Sequence, residues 1–465
     1  MPILYCMLLA GIGTPAQASW KAGIAKTKIT PHGSLWMAGY AARTHSSEGT
    51  LLDLYAKALA VEDGSGHRAV LVTTDLLGIP RSLSQEIAHR VQQKYGLGRD
   101  QLLLNSSHTH SGPVIGKMLQ VAYEGKQGMN ANQWAAVAAY TDILEDQIVK
   151  VVGVALGRLQ PATLNFGHGQ AGFAMNRRVK TAAGYIGGFN KDGPVDHDVP
   201  VLVVRNQRGK ILGIVFGYAC HNTTIGPTFY KFSGDYAGFA QQWLEKKYRG
   251  SVAMFVQGCG ADANPYPRWD KEQTGVEFAR RHGQELGQAV QLAIGGSLSP
   301  IDGLLKTAFK VFPVRFSGPP TQAYFKEQLK SDDIYVRKHA EDMLQIIAQK
   351  GRLPSTYPYS LEVWQVGSGL TLVALAGEVV VDYDLRLKKE LGPGKLWVAG
   401  YSNDVFSYIP SLRILKEGGY EGGGAMIYYG QPGPFAPEIE ETIIDEVHEV
   451  LAKVQEQAET ENKTP

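Results

Sequence analysis

The chain has 465 residues, enough to bury a large core and to form two or three domains or one enzyme-sized unit. Apolar residues make up 44% and charged ones 19%, with a formal charge of only +2, which argues against disorder, a fibrous repeat or a basic face for nucleic acid. What remains as a partner is a small or amphiphilic molecule.

Residues 1–18 carry the apolar run Ile3 to Ile12 and then Ala16-Gln17-Ala18, a small-x-small sequence before Ser19 that reads as an export signal, although no Lys or Arg precedes the run. The expectation is a secreted or periplasmic protein whose remaining chain, 19–465, forms one catalytic domain. No later run is long enough to span a bilayer, which leaves peripheral contact as the way to meet a membrane. Past the cleavage point two cysteines remain, Cys220 and Cys259, which an oxidising compartment would permit to join.

In chain order, apolar stretches rich in Val, Leu and Ile predict strands at Ala69–Thr74, Leu102–Leu104, Val199–Val204, Ile211–Ala219, Val252–Val256, Leu370–Leu375 and Leu396–Ala399. Most lack polar alternation, which predicts burial on both faces. Helical patterns fall at Ser82–Tyr95, Gln133–Leu159, Tyr236–Lys247, Val276–Ala293, Tyr324–Gln349 and Pro437–Gln457. The fold class is therefore α/β, with layered sheets flanked by helices. Asn206-Gln207-Arg208-Gly209 between two strand patterns reads as a hairpin, so the sheets are mixed. Prolines 313, 319, 320, 354 and 358 bracket the polar helical span, marking 320–358 as a helical insertion or cap.

The unusual polar residues sit where these strands stop. His108-Thr109-His110 follows Leu102–Leu104, Asp75 follows Val72-Thr73-Thr74, and His221 follows Phe216 to Cys220. Asp262 follows Phe255-Val256 through a Gly-Cys-Gly turn, and Glu378 follows Leu372 to Leu375 through Ala376-Gly377. Ligands in layered α/β folds bind beyond the carboxyl ends of strands, so the shared placement predicts one pocket with metal-binding side chains. Each also has a plainer reading: solvated loop histidines, a surface arginine at Arg177, a packed Tyr408, and Glu378 as a helix N-terminal charge ahead of Val379–Leu391.

Several motifs together resemble the catalytic domain of the neutral ceramidase family. Asn105-Ser106-Ser107-His108-Thr109-His110-Ser111-Gly112-Pro113 is similar to its Gly-Thr-His-Thr-His-Ser-Gly-Pro loop, and Asn176-Arg177-Arg178 stands where the family has Asn-Arg-Ser. Gly193-Pro194-Val195-Asp196, the stretch from His221 to Gly234-Asp235-Tyr236-Ala237-Gly238, and Ser402-Asn403-Asp404 ahead of Tyr408 and Tyr420-Glu421-Gly422 extend the likeness over nearly the whole chain. The resemblance implies Zn2+ held by His108, His221, Glu378 and Tyr408, with His110 in proton transfer and Arg177 and Tyr420 as donors to a carbonyl oxygen.

Two features depart from that pattern. In Gly260-Ala261-Asp262-Ala263-Asn264-Pro265 the position of the family's proposed serine nucleophile is Asn264, whose amide cannot be deprotonated to attack. No immunoglobulin-like domain of the kind that usually follows is expected after the helix Pro437–Gln457. The reading is therefore a zinc-dependent hydrolase of a linear amide, N-acylsphingosine or a related N-acyl compound, with zinc-bound water as nucleophile and Asn264 orienting water or substrate. His110 or Asp262 would handle the proton. The same residues would suit an esterase or a deacetylase acting on a glycan or small acylated molecule, and a non-catalytic lipid- or glycan-binding protein with a structural zinc is the alternative of another class. Metallo-β-lactamases and amidohydrolases also begin with His-x-His, but the former continue to Asp-His where this chain has Gly112-Pro113, and the latter carry the motif on a first barrel strand.

Overall fold

The computed structural model describes residues 20–124 and 128–461, and the counts below are of these residues. The apolar run and small-x-small sequence of 1–18 lie outside them. None of the described helices is long and apolar enough to cross a membrane.

Two mixed sheets pack face to face. The larger has nine strands, running from Val252–Gln257 through Ile211–Tyr218, Asp198–Asn206, Gln160–Gln170, Trp20–Lys28, Tyr55–Glu62 and Arg68–Thr74 to Leu102–Ser106, with Ser299–Ile301 added beside Gln160–Gln170. The smaller has Leu305–Arg315, Thr356–Val366, Leu370–Leu375 and Leu396–Ala399. Leu59, Leu71, Leu164 and Val256 of one sheet meet Trp364, Leu372 and Trp397 of the other in a single apolar core. The outer face of the large sheet is covered by helices Ala131–Leu156, Asp235–Lys247 and Val276–Gly295, and that of the small sheet by Val381–Leu391 and Ile439–Glu461. A strand with a sheet on one side and helices on the other has no wet face, which is why these strands read as unbroken apolar runs.

The turn at Asn206 joins two antiparallel strands, with Asn206 Oδ1 accepting from the Arg208 and Lys210 N–H groups. Within these two sheets three neighbouring pairs are parallel: Arg68–Thr74 with Leu102–Ser106, Ile211–Tyr218 with Val252–Gln257, and Leu370–Leu375 with Leu396–Ala399. Their carboxyl ends converge, and short bridges Asn105↔Ser402, Thr109↔Asn222 and Gly258↔Ala399 close the loops against each other.

The helical insertion forms two helices, Gln322–Gln328 and Ile334–Lys350, between the paired strands Leu305–Arg315 and Thr356–Val366. It leans back over the strand-end loops. Tyr335 donates to the Ala41 carbonyl at 3.1 Å, its ring lies 5.4 Å from that of Tyr428, and His339 Nε2 meets the Gln431 carbonyl at 2.7 Å. Cys220 and Cys259 are separate buried thiols and do not pair. The reason is direction: Cys220 packs into the core under Asp235–Lys247, whereas Cys259 packs into the core beneath the small sheet.

Helices Asp235–Lys247 and Val276–Gly295 touch through Gly283, where a Cβ would stand 2.8 Å from the Tyr236 carbonyl oxygen and 2.9 Å from the Ala240 nitrogen. Alanine gains about 0.5–1 kcal/mol of helix propensity over glycine, but overpacking against backbone costs about 1–3 kcal/mol, so the clash wins. Gly283→Ala should lower the calorimetric Tm; an unchanged or higher midpoint would show that the two helices separate without cost.

Candidate functional site

The strand Leu102–Ser106 continues one residue in register, with the Ser107 N–H on the Thr74 carbonyl, and then His108 turns at φ 59°. That left-handed turn is unfavourable for a side chain with a Cβ and is held by its surroundings. It places the His108 ring inward, where Nδ1 lies 2.6 Å from the Leu77 carbonyl oxygen. His221, at the end of Ile211–Tyr218, is set in the same way, its Nδ1 lying 2.9 Å from the Gly260 carbonyl oxygen. A carbonyl accepts only, so each Nδ1 carries the proton and each Nε2 presents a lone pair.

Both lone pairs face one carboxylate oxygen. Glu378 Oε2 is 3.1 Å from His108 Nε2 and 3.1 Å from His221 Nε2. Burial alone would raise the Glu378 carboxyl, but the two imidazoles bring it well below the usual range, so it is ionised. His221 is pushed down to about 4 by burial and by the nearby Arg177 charge, and burial with its histidine neighbours pushes His110 well below its usual range. Both Nε2 atoms thus face the Glu378 carboxylate, and two imidazoles with a carboxylate form a donor set suited to zinc. The nitrogens of His108, His110 and His221 lie within 4.8 Å of one another.

Tyr408 completes the group. Its hydroxyl is 3.3 Å from His221 Nε2 and accepts from Arg177 Nη2 at 3.0 Å. Burial pushes this phenol well above its usual range against the pull of Arg177, so without a metal it keeps its proton. Tyr401 and Tyr429 donate to the two oxygens of Glu378, the former at 3.4 Å. His110 stands beside His108, Nε2 to Nε2 at 3.1 Å, while its Nδ1 is buried without a partner. Gly39 makes room for that ring: at φ 93°, a Cβ there would lie 2.5 Å from Nδ1.

Arg177 comes from the hairpin strand Ala174–Thr181, which pairs with Ala263–Pro265 and so brings Asn264 alongside. Its Nε donates to Glu421 Oε1 at 2.7 Å, and its Nη1 reaches Asn264 Oδ1 at 3.5 Å, the limit of a hydrogen bond. Arg178 points away from the pocket and pairs with Glu417 and Glu421. Asn264 Oδ1 is also engaged by the Thr223 hydroxyl at 3.1 Å, so the oxygen is occupied and the NH2 group is left to donate.

Asp262 stands apart from this cluster. Its Oδ1 accepts from the Val381 N–H at 2.9 Å, at the start of helix Val381–Leu391, and its Oδ2 from Asn176 Nδ2 at 3.2 Å. Burial pushes it up to about 6, but both oxygens serve the joint between hairpin and helix. Asp75 likewise turns to Tyr55 N–H and Gln241. Tyr420 is 43% exposed, with its ring 5.3 Å from that of Tyr408, and forms part of a chamber of about 310 Å3 with Tyr40, Leu77, Leu119, Trp269 and Tyr428.

Residues 20–268 match the family model for the neutral/alkaline non-lysosomal ceramidase N-terminal domain. The chain belongs to that family. Among curated ceramidase relatives, it is 24% identical over 260 residues to neutral ceramidase of Drosophila pseudoobscura pseudoobscura and 25% identical over 251 residues to that of Mycobacterium tuberculosis. These matches take in 53% and 49% of this chain but only 35% and 37% of the relatives, so the chain spans about a third of their length. The fold is that of the neutral ceramidase of Pseudomonas aeruginosa, with a TM-score of 0.71 at 19% identity over 91% of this chain and 72% of that one. A ceramidase complexed with C2 gives a TM-score of 0.70 at the same identity.

Within this ceramidase-family domain, of the residues expected from the sequence, His108, His110, Glu378, Tyr408 and Tyr420 line the chamber, while His221 and Arg177 touch its Glu378 and Tyr408 and Asn264 lies beside Arg177. The sequence reading missed Glu421, Tyr401 and Tyr429. Glu421 sits in the Tyr420-Glu421-Gly422 motif, so an acid next to a required arginine partner was the available signal; the two tyrosines carry none beyond their placement in Tyr-rich loops.

Purified protein freed of metal and titrated with zinc should bind one ion per chain near neutral pH. His108→Ala and Glu378→Gln should each weaken binding by more than tenfold, read by elemental analysis and calorimetry. Uptake should fall towards pH 4 as His221 gains its proton; binding undiminished in both variants would exclude this centre.

Proposed function

We propose that this chain hydrolyses a linear amide of an N-acyl compound, with N-acylsphingosine as the family's expected substrate and water as the nucleophile. The observation that carries the reading is the convergence of two imidazole lone pairs on the ionised Glu378 beside the donors of Arg177. His108, His221, Glu378 and Tyr408 would hold a zinc ion, which when bound supplies Lewis acidity for a carbonyl and lowers the pKa of water.

The residues of the chain then divide the work. Glu421 and Arg178 fix the Arg177 guanidinium so that its donors are in place before substrate arrives, and preorganised donors cost no reorganisation as charge develops on the acyl oxygen. Tyr420 lies on the open side of the same place. His110, neutral through burial and with Nδ1 unpartnered, can take up a proton and pass it to the departing nitrogen. Asn264 cannot attack; its NH2 group can hold the substrate. Asp262, engaged at both oxygens, is left out of the proton path. The leader-like segment before Ser19 supports export, and protein recovered from its own cells with Met1 intact would overturn that part.

Metal-loaded protein should hydrolyse N-acylsphingosine or short N-acyl amides, with acetyl esters measured in the same assay. Chelation and His108→Ala should abolish turnover, and Arg177→Ala should cut kcat by about 100- to 1000-fold, the range for loss of one oxyanion donor. Full activity in His108→Ala, or no turnover of any acyl compound by the metal-loaded chain, would overturn the reading.

A further inference from the structure

Past Asn264 the chamber opens into a second groove of about 430 Å3, and Trp269 lines both. Its other walls include Asn264, Phe189, Tyr266, Arg268 and Asp270, whose carboxylate is taken up by the Glu272 and Gln273 N–H groups and the Gln273 amide. Phe189 ends the hairpin strand Gly184–Asn190 and Tyr266 follows Ala263–Pro265; their rings stand 4.1 Å apart, 47% and 51% exposed. Large aromatics left half bare beside a cavity are available to a ligand.

Arg268 is the odd member. Arg177 is paired with Glu421, and Arg178 with Glu417 and Glu421. Arg268 is partly buried against Trp269, its guanidinium carbon 5.3 Å from the ring, and pairs with no carboxylate among the described residues. The groups acting on it are Tyr40, Cys220 and the like charge of Arg177. A guanidinium drawn out of water without a counter-charge is costly, and its planar fork fits an acid group better than any neutral one.

We propose that the groove is a subsite for an acid group on the amine half of the substrate, held by Arg268, with the apolar part of that half against Phe189 and Tyr266. The substrate class is then an N-acylated amino acid or a similar small acid. This rests on the hydrolase reading above, and it leaves the aromatic chamber on the other side of Asn264 to the acyl half. In the reaction, water adds across the amide: the C–N bond breaks, a C–O bond forms, and the acyl acid and the free amino acid leave, the amine taking the proton.

The test compares N-acetyl- and N-hexanoyl-phenylalanine with their neutral primary amides, and with N-hexanoyl-phosphoethanolamine to separate carboxylate from phosphate. Binding is measured by calorimetry and turnover by release of amine, in the native protein, Arg268→Gln and Arg268→Lys. The acids should bind about 10- to 100-fold more tightly than their amides, the range expected for hydrogen bonds to a charged group. The difference should appear in KM with little change in kcat, vanish in Arg268→Gln and return in part in Arg268→Lys. Tighter binding of the phosphate compound than of the carboxylates would overturn the amino-acid assignment. Equal binding of acid and amide by the native protein, a comparison that needs no variant to fold, would overturn the subsite, as would a preference that survives in folded Arg268→Gln. Arg268-dependent binding without turnover of any acyl compound would keep the subsite and sink the hydrolase reading. Turnover without acid preference would do the reverse.

Discussion

The site depends on one buried amide. Asn105 Oδ1 accepts from the Gln257 N–H at 2.8 Å, and its Nδ2 donates to the Gly400 carbonyl at 2.8 Å and lies 3.2 Å from the Ser402 hydroxyl. That ties the end of Leu102–Ser106 to the ends of Val252–Gln257 and Leu396–Ala399, one of them from the other sheet. Gln257 carries the link onward: its Nε2 donates to the Cys220 carbonyl, and its Oε1 accepts from Asn222. His108, His221, Asn264 and Tyr401 each follow closely on one of these joined positions. In a dry interior such a network is strong while every member is satisfied, and removing one leaves the others unpaired. The loops that carry the chemistry are thus registered to one another by side-chain amides together with the short backbone bridges Asn105↔Ser402 and Gly258↔Ala399.

What that registration holds in place is a local conflict. Backbone carbonyls at Leu77 and Gly260 fix the imidazole tautomers, so that lone pairs point at an ionised carboxylate. A few ångströms away, a buried guanidinium is balanced by Glu421 and turned toward Tyr408. Two imidazole nitrogens and a carboxylate oxygen are gathered at one point, and Tyr401 and Tyr429 are the hydroxyl donors that Glu378 has. Conflict of this kind persists only where the fold over-determines it, and it marks a place built for a ligand.

How much of this the sequence showed follows from burial. Strands covered on both faces, such as Arg68–Thr74 and Leu370–Leu375, stood out as apolar runs and fixed where the polar residues began. Gln160–Gln170 and Leu305–Arg315 did not stand out: they are part-exposed, and Lys, Thr, Gln and Pro interrupt them. His108, His221 and Glu378 were legible because each follows an apolar strand, whereas Tyr408, which opens the short strand Tyr408–Ile409, came only from the family resemblance. Asp262 and Asn264 share the strand-end signal and differ only in which way the chain turns them, toward the Val381 N–H or toward Arg177. Direction at a strand end is decided by tertiary partners, and so is the role of Glu421, which only the fold brings to Arg177.

Asn264 then explains why the rest of the site is arranged around donors. Its oxygen is held by Thr223 and Arg177, so it offers N–H to the cavity, next to the free donors of a guanidinium already fixed by Glu421. A serine at this place would add a nucleophile that also needs a base; the amide adds a second preorganised donor and no group that can be acylated. With no side-chain nucleophile at this position, the proposed hydrolysis would rely on groups on either side of Asn264 to place substrate, the aromatic chamber on one side and the Arg268 groove on the other. Proximity of this sort is worth several kcal/mol when the reacting atoms are held in line. Placement of substrate between two subsites is the contribution this geometry leaves to the protein once covalent attack is removed.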